Sequence, residues 1–343
     1  MPRMVGLVLF ALLLFHAEAF AAGADSRLTR QLDEAVNSEV AKGFSGAVLV
    51  ARGSTILLDQ GYGAIKGVAV RTNSMFWISS TGKQFASAAI QTCRDKGLLS
   101  LDDPISRFFP QAPADKRAIT IRQLLSHLSG FGQSNVSEGH ATRDEAVSAI
   151  LAEPLVDAPG NKFHYSNNNY QLAAAIVEVA TGDDYQHFVT RTLLLPAGLR
   201  HTGFSSNGGW RLPAPGQGEM PARLKAPGWG AEGWYSTTHD LFRWYRALRE
   251  GRVLRPTSVA ELFTPIEPIK EGRAALGWFV GATDSGVTRV FTRGNDDWGP
   301  NSLIYAYPAS GMVIVVLTHA GMANSDISWS RLVHGKIENL LFP

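Results

Sequence analysis

The chain has 343 residues, 45% of them apolar, and a formal net charge of +2. That is ample material for the core of one or two domains, and so small a charge excess removes the electrostatic case for a nucleic-acid partner. A single cysteine, Cys93, excludes an internal disulfide and argues against a cysteine-based metal site.

In chain order, the first 21 residues read as an export signal. Arg3 is a short basic start, Val5 to Phe15 is an apolar run too short to span a membrane comfortably, and Ala17-Glu18-Ala19 and Ala19-Phe20-Ala21 are small-x-small cleavage sites. Cleavage there predicts a periplasmic or secreted protein. No cysteine follows the cleavage region, so a lipid anchor is not expected, and the shortness of the apolar run argues against a stable transmembrane anchor. Ser26 to Lys42 spaces Leu28, Leu32, Val36 and Val40 four apart, the apolar stripe of a helix. Gly46 to Ala51 is a short apolar run, Arg52-Gly53 a tight turn, and Thr55 to Leu58 a second run: two strands joined by a hairpin.

From Ser80 to about Pro268 the signals are helical, joined by Gly/Pro-rich loops. Thr81 to Lys96 carries Phe85, Ala88, Ala89 and Cys93 at helical spacing and ends at Gly97; Cys93 there is a small core residue. Further helices are predicted over Ile121 to His127, Arg143 to Leu151, Tyr170 to Thr181 and Thr238 to Leu248. Strands return at Leu276–Val280, Val287–Phe291, Ser302–Tyr307 and Met312–Leu317, and Ser328 to Leu341 closes with a helix. This order predicts an α+β fold. One sheet is drawn from both ends of the chain (about 26–75 and 273–343), a helical region (about 76–272) is inserted beside it, and a cleft lies at the junction.

The chemistry concentrates in Ser80-Thr81-Gly82-Lys83, the one S-x-x-K in the chain. Residues i and i+3 share a helix face, so Lys83 would stand one turn above Ser80. A serine hydroxyl needs a neighbour to take its proton, and a lysine in a largely apolar pocket can do that. At a helix start, Ser80 also offers its backbone N–H to a developing oxyanion. About one S-x-x-K is expected by chance in a chain this long, so the pattern by itself also fits an N-cap serine with a solvated lysine. Tyr165-Ser166-Asn167, the one Y-x-N, supplies what the pair lacks: a phenol that can relay protons and an amide that can hold a substrate.

With these motifs and their flanks the chain resembles the serine β-lactamase-related family: class C β-lactamases, D-alanyl-D-alanine carboxypeptidases and related esterases. Pro159 to Tyr170 matches the second family motif with its surroundings. Gly97 to Pro104, Leu124 to Gly130 and Ser236 to Leu241 match other family signatures, so the resemblance covers nearly the whole mature chain, about 22–343. It implies a β-lactamase/transpeptidase-like fold, with Ser80 the nucleophile of an acyl-enzyme, Lys83 and Tyr165 sharing its proton, Asn167 orienting substrate, and no cofactor or metal. It places His127 in a structural segment, as a hydrogen-bonded histidine at a helix end.

The third family motif, Lys or His, any residue, then Gly, is where this sequence departs. His201-Thr202-Gly203, Lys270-Glu271-Gly272 and His319-Ala320-Gly321 have the pattern in the wrong contexts. The matching position lies in Thr292-Arg293-Gly294-Asn295-Asp296-Asp297-Trp298-Gly299-Pro300. Two registers compete. With Gly294 as the motif glycine, Thr292 replaces the cation and the Asn295 N–H completes an oxyanion hole. With Arg293 as the cation, Asn295 replaces the glycine and the donor moves to Asp296. The first is preferred, because Asn where Gly is required costs strain. Trp229, Trp234, Tyr235 and Trp298 could be aromatic cleft walls or ordinary core. There is no G-x-S-x-G elbow, zinc H-E-x-x-H or phosphate loop. The expected function is an exported serine hydrolase acting on an ester, a D-amino-acid peptide or a β-lactam, with esters favoured. The alternative is an inactive relative that binds a cell-wall peptide or another ligand in the same cleft.

Overall fold

The computed structural model describes residues 25–343 apart from 66, 205–229 and 232. The export signal and Trp229 therefore lie outside the described residues. The chain opens with a helix over 25–40, then the hairpin β1 (Gly46–Arg52) and β2 (Thr55–Tyr62). A small hairpin, β3 (Ala64–Ile65) and β4 (Val68–Ala69), follows. Strands β5 (Phe76–Trp77), β6 (Gly203–Phe204) and β7 (Trp234–Ser236) form a three-stranded patch in the order β5-β7-β6. The remaining strands are β8 (Glu267–Ile269), β9 (Gly272–Ala274), β10 (Phe279–Ala282), β11 (Thr288–Asn295), β12 (Asn301–Tyr307) and β13 (Met312–Thr318).

Eight of these make one antiparallel sheet in the order β2-β1-β13-β12-β11-β10-β9-β8. The N-terminal hairpin lies beside the last strand, so the sheet is built from both ends of the chain, as the sequence predicts. Side chains alternate across it. Val48, Val50, Ile314 and Val316 face the terminal helices, meeting Leu32, Val36, Val333 and Ile337. Ala47, Leu49, Ala51, Val313, Val315 and Leu317 face the other way, into the larger core shared with the helical region. The helix Lys83–Asp95 runs through that core and is buried from Lys83 to Cys93. Beside it packs the helix Asn167–Thr181. Among the described residues no helix is long and apolar enough to cross a membrane.

Of the boundaries that differ from the sequence expectation, three bear on the site. The segment after Ile78 begins as a 3-10 turn, Ser79–Gly82, before the α-helix starts at Lys83. The helix expected from Tyr170 begins at Asn167, so the asparagine of Tyr165-Ser166-Asn167 is its first residue. Strand β11 continues to Asn295, which places the divergent third motif within a strand.

Candidate active site

Ser80 lies in the 3-10 turn between β5 and the buried helix. The Ser302 hydroxyl of β12 ties this turn to the sheet by donating to Ile78 O at 2.6 Å and standing 2.8 Å from Thr81 Oγ1. Gly82, the third residue of the motif, sits against the face of Trp234, where an added Cβ would fall 2.2 Å from Cδ1. Ser79, just before Ser80, has φ +47°, a left-handed conformation that costs a non-glycine residue roughly 1–2 kcal/mol. Such strain persists only where the surroundings fix it.

One turn on, the buried Lys83 Nζ has three acceptors: Ser80 Oγ at 2.8 Å, Asn167 Oδ1 at 2.8 Å and Ala231 O at 3.1 Å. Three acceptors match the three protons of an ammonium group. The Tyr165 OH donates to the same Ser80 Oγ at 2.6 Å, and Lys83 Nζ stands 5.1 Å from the centre of the Tyr165 ring. Hydroxyl, amine and phenol, 85 residues apart at the extremes, thus meet at one oxygen. The Asn167 amide is engaged at both ends, because its Nδ2 donates to Asn135 Oδ1 at 3.0 Å. In this arrangement it holds Lys83 while also lining the cleft.

His127 is buried beneath this group, with its ring 4.5 Å from that of Tyr165. Its Nδ1 accepts from Ser166 N–H at 3.1 Å and lies 3.2 Å from Asn169 Nδ2. Burial first, and the Lys83 charge second, hold its pKa well below the ordinary histidine value. It is a neutral support for the Tyr165 loop, with no hydrogen bond to Ser80, Lys83 or Tyr165 OH among those found.

The strand β11 closes the site on the other side. A Cβ on Gly294 would lie 2.5 Å from Ile78 O, 2.6 Å from Ser79 Cβ and 2.7 Å from Ser80 N. Only glycine lets the strand come this close. Alternation puts Thr292 on the same face as Gly294, buried, in the wall of a small pocket shared with Ser80, Lys83 and Tyr165. Arg293 falls on the other face, where it pairs with Glu271 and lies over the Phe291 ring. Burial opposes its charge, but Glu271 and Tyr305 together outweigh that and hold the guanidinium above its usual pKa. The Asp296 N–H is already committed to Pro300 O at 2.9 Å. The geometry therefore fits the register with Gly294 as the glycine and Thr292 in the cation's place.

The site opens on a cleft of about 950 Å³ with Ser80, Tyr165, Asn167, Phe163 and Phe279 in its walls. Residues 28–331 match the family model described as Beta-lactamase. The chain belongs to the Beta-lactamase family. Among related proteins of this kind, PbpX of Bacillus subtilis (strain 168), whose name marks it as a candidate penicillin-binding protein, is 26% identical over 87% of this chain and 75% of its own length. Protein flp of Staphylococcus aureus (strain MRSA252) is 28% identical over 84% of this chain, which spans only 62% of flp. The fold is shared with solved structures. D-amino acid amidase from Ochrobactrum anthropi SV3 superposes with a TM-score of 0.80 at 20% identity, over 92% of this chain and 98% of that one. A penicillin-binding protein from Bacillus halodurans gives 0.77 at 22% identity, over 90% and 99%.

Set in the Beta-lactamase fold, several residues that matter were not visible in the sequence. Ala231 contributes a backbone carbonyl, which no side-chain pattern can flag. Asn135 reaches Asn167 from a loop. Asp296, named from the sequence only as an alternative N–H donor, uses its side chain instead: Oδ2 accepts from Trp77 Nε1 at 2.6 Å and from Ser79 Oγ at 2.7 Å. Of the aromatics that could be cleft walls or core, the three described ones are packing residues. Trp234 is buried against Phe85 and Phe204, Tyr235 is buried against Trp77, and Trp298 packs on Trp77 and His319. Of the stray third-motif patterns, His201-Thr202-Gly203 enters β6, Lys270-Glu271-Gly272 turns between β8 and β9, and His319 caps the end of β13. Among the described residues no group of three or more His, Cys, Asp or Glu is placed to hold a metal ion.

Proposed function

We propose that this protein is an exported serine hydrolase that forms an acyl-enzyme at Ser80, with residues 22–343 acting as one hydrolase domain and esters as favoured substrates. The observation that carries this reading is the convergence of Lys83 Nζ (2.8 Å) and Tyr165 OH (2.6 Å) on Ser80 Oγ. In the reactive state one of these two groups lacks its proton and takes that of Ser80 as Oγ bonds to the substrate carbonyl carbon. The oxygen that becomes negative is received by the N–H groups of Ser80 and Asn295, which flank the Gly294 contact. The proton then passes to the leaving group, the bond to it breaks, and water attacks the acyl-enzyme with the same pair acting in reverse.

The ester preference rests on Thr292. A lysine or histidine there would give the Ser80 face a positive charge for a substrate carboxylate; Thr292 gives a hydroxyl, and Arg293, on the strand's other face at the border of the cleft, is paired with Glu271. The names of relatives keep penicillins and D-amino acid amides as competing substrates. Export rests on the signal-like pattern in residues 1–21.

A fluorophosphonate probe should label the wild type and leave Ser80→Ala unlabelled. Equal labelling of both, or none of either, would refute the hydrolase and leave an inert binder, motivated by the altered third motif. A p-nitrophenyl acetate rate above that for a chromogenic cephalosporin or a D-Ala-D-Ala peptide is expected. A faster cephalosporin would overturn the ester preference alone.

A further inference from the structure

We infer that Asp296 is a positioning residue that sets the distance between the two oxyanion donors. The inference rests on the acyl-enzyme reading above. Those donors come from segments more than 200 residues apart: Ser80 N–H from the 3-10 turn, Asn295 N–H from the end of β11. Among the described residues no backbone hydrogen bond joins the two segments, and the Ser302 hydroxyl ties the turn to β12 and not to the end of β11. Asp296 immediately follows one donor. Its Oδ2 accepts from the Oγ of Ser79, which immediately precedes the other, at 2.7 Å, and from Trp77 Nε1 at 2.6 Å. One carboxylate oxygen therefore joins the residue after Asn295 to the residue before Ser80.

Each side of this tie is itself held. Asp296 N–H donates to Pro300 O and Asp296 O accepts from Gly299 N–H, which locks the turn leaving β11. Trp77 is pinned a second time, by its backbone N–H donating to His319 Nε2 at 3.1 Å. Ser79 is where a holder is needed, since its φ of +47° is a conformation that a relaxed chain would leave. A carboxylate accepting two donors is a strong, directional restraint. If the turn relaxed, Ser80 N–H would rotate away from the oxyanion position while Tyr165, carried by another segment, and the Lys83 ammonium, held by Asn167 Oδ1 and Ala231 O, stayed in place.

The role predicts an effect on kcat with little on KM, because the oxyanion exists only in the transition state. With p-nitrophenyl acetate, and with kcat normalised to sites titrated by fluorophosphonate, Asp296→Ala should lower kcat about 100-fold while KM stays within about 3-fold. Asp296→Asn keeps an acceptor oxygen and should recover kcat to within about 5-fold of wild type. Ser79→Ala, which removes one branch only, should lower kcat about 10-fold and add nothing to Asp296→Ala in the double variant. Wild-type kcat in Asp296→Ala, a change confined to KM, or equal losses in the Ala and Asn variants would each overturn the inference. Should Asp296→Ala fail to fold, Ser79→Ala decides: an unchanged kcat overturns it. A Ser80→Ala variant that retained activity would instead sink the acyl-enzyme reading.

Discussion

Replacing Gly294 with alanine tests how close β11 must come to the turn that carries Ser80. The new methyl would meet Ile78 O at 2.5 Å, Ser79 Cβ at 2.6 Å and Ser80 N at 2.7 Å, and two of those three atoms are backbone. Ordinary contact would require strand and turn to separate by about 0.8 Å. No side chain can rotate away to absorb that, and Ser302 already ties the turn to β12 through Ile78 O and Thr81. A displacement near 1 Å of groups that must surround a transition state costs on the order of 100-fold in rate, equivalent to about 2.7 kcal/mol. Overpacking should also lower stability by about 1–3 kcal/mol. The assay is kcat/KM on p-nitrophenyl acetate beside a urea unfolding curve, with Asn295→Gly as control. If Asn295 held the motif glycine's place, Asn295→Gly would raise activity and Gly294→Ala would be tolerated. That pair of results would refute the register.

Thr292→Lys would put a cation on the Ser80 face, and the ratio of cephalosporin to ester turnover should rise at least about 10-fold; an unchanged ratio, in an enzyme that still folds, would show that Thr292 does not face the substrate. Lys83→Met keeps the aliphatic stem and removes the buried charge: fluorophosphonate labelling should slow at least about 1,000-fold while the melting temperature stays level or rises, and a large fall in melting temperature would mark Lys83 as structural. Acid should destabilise the fold before its carboxylates titrate. Burial lowers the pKa of His319 to about 4, and burial followed by the charges of Arg289, Arg331 and Arg293 lowers that of His334 to about 3. Both remain neutral in the folded chain while the unfolded chain binds protons below 6.5, so stability is full above that pH and is lost as pH falls toward 4; for His319 the loss is roughly 3 kcal/mol. Glu178, whose carboxyl is raised first by burial, works in the opposite sense at the lower end of this window. A melting temperature flat between pH 6.5 and 4.5 would contradict the assignment of buried, neutral histidines.

The parts of the fold that could be read in the sequence are those where local periodicity and burial agree. Leu32 and Val36 sit on the terminal-helix side of the sheet at the spacing that marks them as one helix face. The runs at 46–51 and 312–317 are apolar without alternation because that central pair of strands is buried on both sides. The start of the helix at Asn167 was hidden for the opposite reason. Three consecutive asparagines look like a turn, because locally they compete with the helix for backbone hydrogen bonds. Here their side chains are taken up by distant partners: Asn167 by Lys83 and Asn135, Asn168 by Ser134, Asn169 by Ser129. Tertiary bonding removes the competition, and the helix gains a turn.

The same distinction separates what the motifs revealed from what they left open. Ser80 and Lys83 are legible because a helical turn fixes their relation, and Tyr165 becomes legible once they are paired with it. The third motif has no such local ruler. Thr292-Arg293-Gly294 and Arg293-Gly294-Asn295 differ by one residue, and a one-residue shift in a strand exchanges its faces. Which face meets Ser80 is decided by the pairing Thr292↔Ile304 and Gly294↔Ser302, and by the burial of Val290 and Ile304 in the core shared with the helical region. With that face fixed, Arg293 must lie with Phe291 and Tyr305 on the side of the terminal helices, where Glu271 meets it. Arg293 still borders the cleft that holds Ser80, but its guanidinium is paired with Glu271, so a lysine at position 293 is expected to remain tied to that carboxylate, whereas a lysine at position 292 would extend from the face that meets Ser80.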